Sequence, residues 1–127
     1  MNDVNCLSSL ALALAIVGGT TISHAEGDAT RGEKKFADCA ACHSLQEGVN
    51  SVGPSLHGLF NRKAGSLAYF RYSPAMKRSG IVWTAQTLDE FLTEPQKLVP
   101  ANRMPYGGIS EPAERADLIA YLTQAAK

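Results

Sequence analysis

Residues 39–43 read Cys39-Ala40-Ala41-Cys42-His43, inside the longer stretch "KKFADCAACHSLQEG". Two thiols and an imidazole fall within five residues of a 127-residue chain that has three cysteines in all. On a helix, positions i, i+3 and i+4 share a face, so Cys39, Cys42 and His43 are expected to point one way. Such a face suits a flat ligand that takes two covalent tethers at its edge and one nitrogen donor at its centre.

Haem c is a ligand of that kind. Its two vinyl groups form thioethers with cysteine, histidine supplies an axial bond to iron, and C-x-x-C-H is the attachment pattern. Two rival chemistries use the same residue types. A thioredoxin-like redox pair belongs beside a βαβ pattern, and the chain shows no such pattern. A structural zinc ion takes four ligands. With Cys39, Cys42 and His43 the remaining candidate is His57, whose surroundings "GPSLHGL" give it no paired second ligand. Haem c, one covalently held group per chain, is the reading adopted.

The first 25 residues differ from the rest. Leu7 to Val17 is an apolar run of eleven residues, "LSSLALALAIV". A membrane span needs roughly 20 apolar residues, whereas this length suits the core of a secretory signal. Ser23-His24-Ala25 resembles a cleavage site. Asp3, with no Lys or Arg beside it, departs from the usual basic start, and an uncleaved anchor is the alternative. The expected division is a cleaved signal peptide at 1–25 and one domain at 26–127, exported to a bacterial periplasm, where haem c is attached.

Cleavage would remove Cys6 and so exclude a multi-disulfide framework. The full chain balances 12 basic against 12 acidic residues; loss of Asp3 leaves 12 against 11. Neither total points to nucleic acid or an anionic membrane surface. A domain this small gains from an embedded cofactor.

From Glu26 the pattern runs helix, long loop, helices. Asp28 is a candidate N-cap for "ATRGEKKFADCA". Recurring Gly and Pro between Ser44 and Ser66 mark a loop. "SPAMKRSG" predicts a short helix stopped by Gly80, and "TAQTLDEFLTEP" a helix capped by Thr84 and ended near Pro95. In "SEPAERADLIAYLTQAAK", Leu118, Tyr121, Leu122 and Ala125 form one apolar stripe. Gly32 and Phe36 on the first helix are its expected partners, because a glycine lets two helices cross closely. No segment alternates with period two, so the fold class is all-α.

Iron with His43 on one side leaves a second position, for which His57, Met76 and Met104 are candidates. Met104 lies in "VPANRMPYGG", where Pro100, Pro105, Gly107 and Gly108 shape an irregular backbone able to present a thioether inward. Met76 sits in a helical stretch and reads as core filling. His57 reads as a loop residue engaged locally.

Taken in order, "CAACH", "GPSLHGLFNRKAG", "GIVWTAQTLDEFL", "VPANRMPYGGI" and "ERADLIAYL" resemble the successive landmarks of class I cytochromes c, of the mitochondrial type and its bacterial cytochrome c2 relatives. The similarity spans about residues 27–126. It implies a haem wrapped by a few helices, the N- and C-terminal ones crossing through Gly32, Phe36, Leu118 and Tyr121. It makes Cys39 and Cys42 the thioether residues, His43 the proximal ligand and Met104 the distal one. It makes Pro54 the carbonyl that orients the His43 ring, and Arg62, Tyr72 and Trp83 the contacts of the haem propionates. Without it, Trp83 reads as core and Arg62 as a solvated charge.

Three positions depart from the family pattern. Phe91 replaces a Tyr whose hydroxyl reaches the Met sulfur, Asn102 a Thr that contacts a propionate, and Met76 an Asn of an internal polar network. The Pro and Gly residues around Met104 suggest that the loop holds its sulfur by backbone shape, with no hydroxyl at Phe91 to help. The resemblance implies a monomeric one-electron carrier of a respiratory or photosynthetic chain and not an enzyme. Its partners would be a cytochrome bc complex and a terminal oxidase or photosynthetic reaction centre. Lys34, Lys35, Lys63, Lys97 and Arg103 are expected to rim the exposed haem edge. A peroxidase-like or ligand-binding haem protein is the alternative, and it requires Met104 to leave the iron.

Overall fold

A computed structural model describes residues 26–127; the proposed signal peptide, with Cys6, lies outside the described residues. Five helices follow one another: α1 (Ala29–Ala40), α2 (Pro74–Arg78), α3 (Ala85–Thr93), α4 (Pro95–Leu98) and α5 (Pro112–Ala125). Among the described residues the only extended pairing is an isolated antiparallel bridge between Lys63 and Val82. The fold is all-α, as the sequence pattern requires.

Local chemistry sets the helix starts. Asp28 accepts from the N–H of Arg31 to begin α1, and Ser73 accepts from Met76 to begin α2. Thr84 and Thr87 form a reciprocal capping box on α3, which satisfies two N–H groups that a helix end leaves without partners. Gly80, with φ +71°, turns the chain out of the α2 region. α4 was not foreseen. It is a single turn with Pro95 at its start, where the missing N–H is harmless and the fixed φ is already helical.

The two long helices cross at their backbones. A Cβ on Gly32 would lie 1.9 Å from the carbonyl oxygen of Asp117 and 2.8 Å from Cβ of Tyr121. Phe36 then packs on Tyr121, ring centroids 5.4 Å apart, and Leu118 is wholly buried. The expected partners do meet. Polar groups fix the register of the crossing. Asp117 accepts from the backbone N–H of Asp28 at 2.6 Å and from Nε and Nη2 of Arg31 at 2.6 and 2.9 Å.

A second buried charge fastens α5 to the rest. Arg115 donates from Nε to Asp89 on α3 at 2.7 Å and from Nη1 to the carbonyls of Ile109 and Ser110. A buried guanidinium is tolerable only with such partners. The helices thereby frame a space bordered by the C-terminal end of α1, the long loop after it, and the segment between α4 and α5. No helix among the described residues is long and apolar enough to cross a membrane.

Candidate functional site

α1 ends at Ala40, inside the motif. The backbone then makes one more turn, in which the N–H groups of Cys42 and His43 both donate to the Cys39 carbonyl at 3.0 and 2.9 Å. The common face expected of Cys39, Cys42 and His43 therefore survives through this turn, although the regular helix does not extend through it. The chain doubles back with Gly53 N–H on the Cys42 carbonyl and Leu56 N–H on that of Ser44, both at 2.8 Å.

That return lays Gly53 and Pro54 against the imidazole. Nδ1 of His43 is 2.8 Å from the Pro54 carbonyl oxygen. A carbonyl only accepts, so Nδ1 carries the proton and donates, and Nε2 keeps its lone pair. A Cβ at Gly53 would stand 2.4, 2.7 and 2.8 Å from Cε1, Nδ1 and Nε2 of the same ring. The imidazole is thus held in its plane by glycine on one side and fixed in tautomer by the next residue.

The bridge between Lys63 and Val82 positions two more side chains. Asn61 N–H donates to Trp83 O at 2.8 Å, and Trp83 N–H to Arg62 O at 3.0 Å. The Arg62 guanidinium donates to the carbonyls of His57 at 2.6 Å and Ser55 at 3.0 Å. Burial pulls its pKa down, against the opposing influence of Tyr72. Burial likewise pushes the Tyr72 phenol up. None of the ion pairs among the described residues includes Arg62. Trp83 meets Phe91 edge-on, centroids 5.1 Å apart.

His43, Gly53, Pro54, Arg62, Tyr72, Trp83 and Phe91 line one cavity of about 350 Å³. Cys39, Cys42, His43, Pro54, Arg62, Tyr72, Trp83 and Met104, the eight residues singled out in the sequence, all line it. Leu88, Phe91, Leu118 and Leu122 complete its apolar wall. Met76 also lines the cavity while belonging to the buried core, so two methionines border the space. His57 is absent from the wall and is engaged through its backbone.

Both cysteines are free and half-buried. Burial, followed by the charge of Asp38, raises the Cys39 thiol, the opposite of an activated redox thiolate. No group of three or more His, Cys, Asp or Glu among the described residues is placed to hold a metal ion.

The residues present fit haem c. The cavity is lined by two cysteines, an imidazole whose Nδ1 is engaged and whose Nε2 keeps its lone pair, two methionines, an apolar wall, and a half-buried arginine with no carboxylate of its own.

One expectation needs correction. Of the basic residues proposed to rim the cavity, only Arg103 lines it, joined by Arg71 and opposed by Asp38. Lys35 is engaged by Glu114 and Asp38, and Lys97 by Glu94. Asn102 does not line the cavity. It is buried and bonds the loop backbone instead. Sequence reading also passed over Gly53, although the Gly-Pro pair at 53–54 signalled a close backbone approach.

Residues 29–126 match the family described as Cytochrome c. The chain belongs to the cytochrome c family. It is 46% identical over 104 residues to a cytochrome c of Cochliobolus lunatus, covering 80% of this chain and 96% of that protein. It is 48% identical over 101 residues to a cytochrome c2 of Agrobacterium tumefaciens (strain II Chrys), covering 76% and 91%. Its structure is similar to that of cytochrome cH from Methylobacterium extorquens, with a TM-score of 0.72 and 44% identity over 76% of this chain and 98% of that one. Members of the family are electron carriers with covalently bound haem c, and haem c is the cofactor of this cytochrome.

Proposed function

We propose that the chain is an exported one-electron carrier, not an enzyme, with Cys39 and Cys42 as thioether residues, His43 as proximal ligand and Met104 as distal ligand. The hydrogen bond from His43 Nδ1 to Pro54 O carries this reading. It leaves Nε2 as the donor nitrogen, and the carbonyl raises that nitrogen's basicity. When bound, the haem iron supplies an Fe(III)/Fe(II) couple. The chain's own contribution is to hold both axial donors and keep water away. Leu88, Phe91, Leu118 and Leu122 give an apolar surround, which disfavours the more charged oxidised state and raises the potential.

Arg62, Tyr72 and Trp83 form the polar end of the cavity and take the haem propionates. Arg62 is suited to this because its charge meets only carbonyl dipoles within the protein. Cavity-lining Asp38, Arg71 and Arg103 give a mixed-charge rim, beside which Val52 is exposed. Recognition of membrane redox partners, a cytochrome bc complex as donor and a terminal oxidase or photosynthetic reaction centre as acceptor, then depends little on long-range attraction. The apolar run at 7–17 followed by Ser23-His24-Ala25 supports export to the periplasm with cleavage after Ala25.

Visible spectroscopy tests the ligand set. A ferric iron with thioether ligation shows a weak charge-transfer band in the far red. The band is expected to vanish in Met104→Ala and persist in Met76→Ala; the reverse result would reassign the distal ligand. Mass spectrometry of the secreted product checks the processing, with a start at Glu26 and one added haem expected.

A further inference from the structure

The segment that carries Met104 has no helix of its own between Val99 and Glu111. Its Pro and Gly residues account for its irregular course but not for its fixation. The side chain of Asn102, 7% exposed, supplies that. Nδ2 donates to the carbonyls of Pro95 at 2.8 Å and Val99 at 3.0 Å. Oδ1 accepts from the Met104 N–H at 2.8 Å and from Gln96 Nε2 at 3.1 Å. These bonds use both donors and both lone pairs of the amide. They also fix its orientation, because carbonyls surround the nitrogen and N–H groups surround the oxygen.

Gln96 completes the grip from α4. Its Nε2 also reaches the Met104 carbonyl at 3.1 Å and the Asn102 carbonyl at 3.3 Å. The peptide groups on both sides of Met104 are thereby tied to α4, the N–H through Asn102 and the C=O through Gln96. Phe91, lacking a hydroxyl, offers no hydrogen bond to the sulfur from the cavity side.

We propose that Asn102 and Gln96 are positioning residues that clamp the Met104 peptide and so set how rarely the Met104 sulfur leaves the iron. The proposal rests on Met104 being the distal ligand. It adds side-chain hydrogen bonds to the expectation that backbone shape holds the loop. A competing role is that Asn102 only caps the short α4 by satisfying the carbonyls of Pro95 and Val99. Capping would affect stability, whereas clamping would also affect how often the distal position opens.

The test uses the ferric haem-loaded protein with imidazole as an external ligand. At saturating imidazole, the substitution rate reports departure of the native ligand. Each hydrogen bond is worth about 0.5–1.5 kcal/mol net, about two- to tenfold in that rate. Gln96→Ala removes an exposed side chain and is expected to raise the limiting rate about fivefold. Asn102→Ala is expected to raise it by tenfold or more. Thr84→Ala, which removes the cap of α3, serves as the control for general destabilisation. If Asn102→Ala does not accumulate, Gln96→Ala against Thr84→Ala still decides. A rate in Gln96→Ala no higher than in Thr84→Ala would overturn the clamp. Persistence of the far-red band in Met104→Ala would instead overturn the ligand assignment beneath it.

Discussion

At Gly53 a methyl group would lie 2.4 Å from His43 Cε1, closer than any relaxed Cβ contact. Gly53→Ala must therefore push either the imidazole or the loop, at a cost of about 1–3 kcal/mol. Covalent haem per chain, read from absorbance after denaturation, should fall, and the His43 ring resonances should shift. Unchanged yield and unchanged resonances would show that the loop at 51–54 gives way freely. Ala101 poses the converse case. It occupies φ +64° after Pro100, in a turn closed by Asn102 N–H on Val99 O at 3.1 Å. The left-handed conformation costs a non-glycine residue about 1–2 kcal/mol, while a glycine adds about 0.4–1 kcal/mol of unfolded-chain entropy. Relief wins by a modest margin. Ala101→Gly is expected to stabilise the haem-loaded protein by about 0.5–1 kcal/mol in guanidinium unfolding, and a lowered midpoint would contradict that.

Between elements, the crossing of α1 and α5 is the most constrained contact. The Asp117 carbonyl, 1.9 Å from where a Gly32 Cβ would sit, is backbone and cannot swing aside. Gly32→Ala should cost about 3 kcal/mol or more, whereas Thr84→Ala should cost only about 1; thermal melts of the two variants compare them. The same seam carries a pH dependence. The Arg31 guanidinium, helped by the Asp28 N–H, holds the Asp117 carboxyl below its ordinary 3.8. A depressed folded pKa means that the contribution is complete above that ordinary value and is lost as pH falls through the folded one. Asp117→Asn should therefore show a flatter melting-temperature profile than the parent below about pH 4. The difference should shrink in salt, because Arg31 is largely exposed. Parallel profiles would show that the pair contributes nothing. The capped helices α1, α2 and α3 were legible because Asp28, Ser73-Pro74, Gly80 and Thr84 act on their immediate neighbours. α4 was not, since one turn has no periodicity to read. Nor were buried Arg115 and Asp117, whose partners Asp89 and Arg31 stand 26 and 86 residues away. A charge in an isolated sequence reads as surface until such a partner is in place.

At the scale of the molecule, the cavity runs through the core, and Trp83, Leu88, Phe91, Leu92, Leu118 and Leu122 belong to both. On the proposed attachment, replacing Cys39 and Cys42 by Ser removes the tethers, and with the haem lost those faces would meet water. A domain of this size has little other burial to offset the loss. Far-ultraviolet circular dichroism of the double variant should show an unfolded chain; native-like helicity would mean that the protein shell stands alone. The wall of this cavity was largely readable in advance, because C-x-x-C-H states its chemistry in its spacing and the ordered family landmarks supply the rest. The rim was not, since Lys35 and Lys97 turned to acids nearby, and neither were Asn102 and Gln96, whose work appears only once the loop folds onto α4. The crossing of α1 and α5 has a further consequence in the order of synthesis. The ribosome releases the cysteine pair, at and just past the end of α1, about 80 residues before it releases Leu118 and Leu122. Until then the nascent chain has its anchor points but no closed wall. Any chain cut short before residue 112 would keep the attachment motif yet leave Phe36 and Gly32 uncovered, and a protease would find it as an open seam.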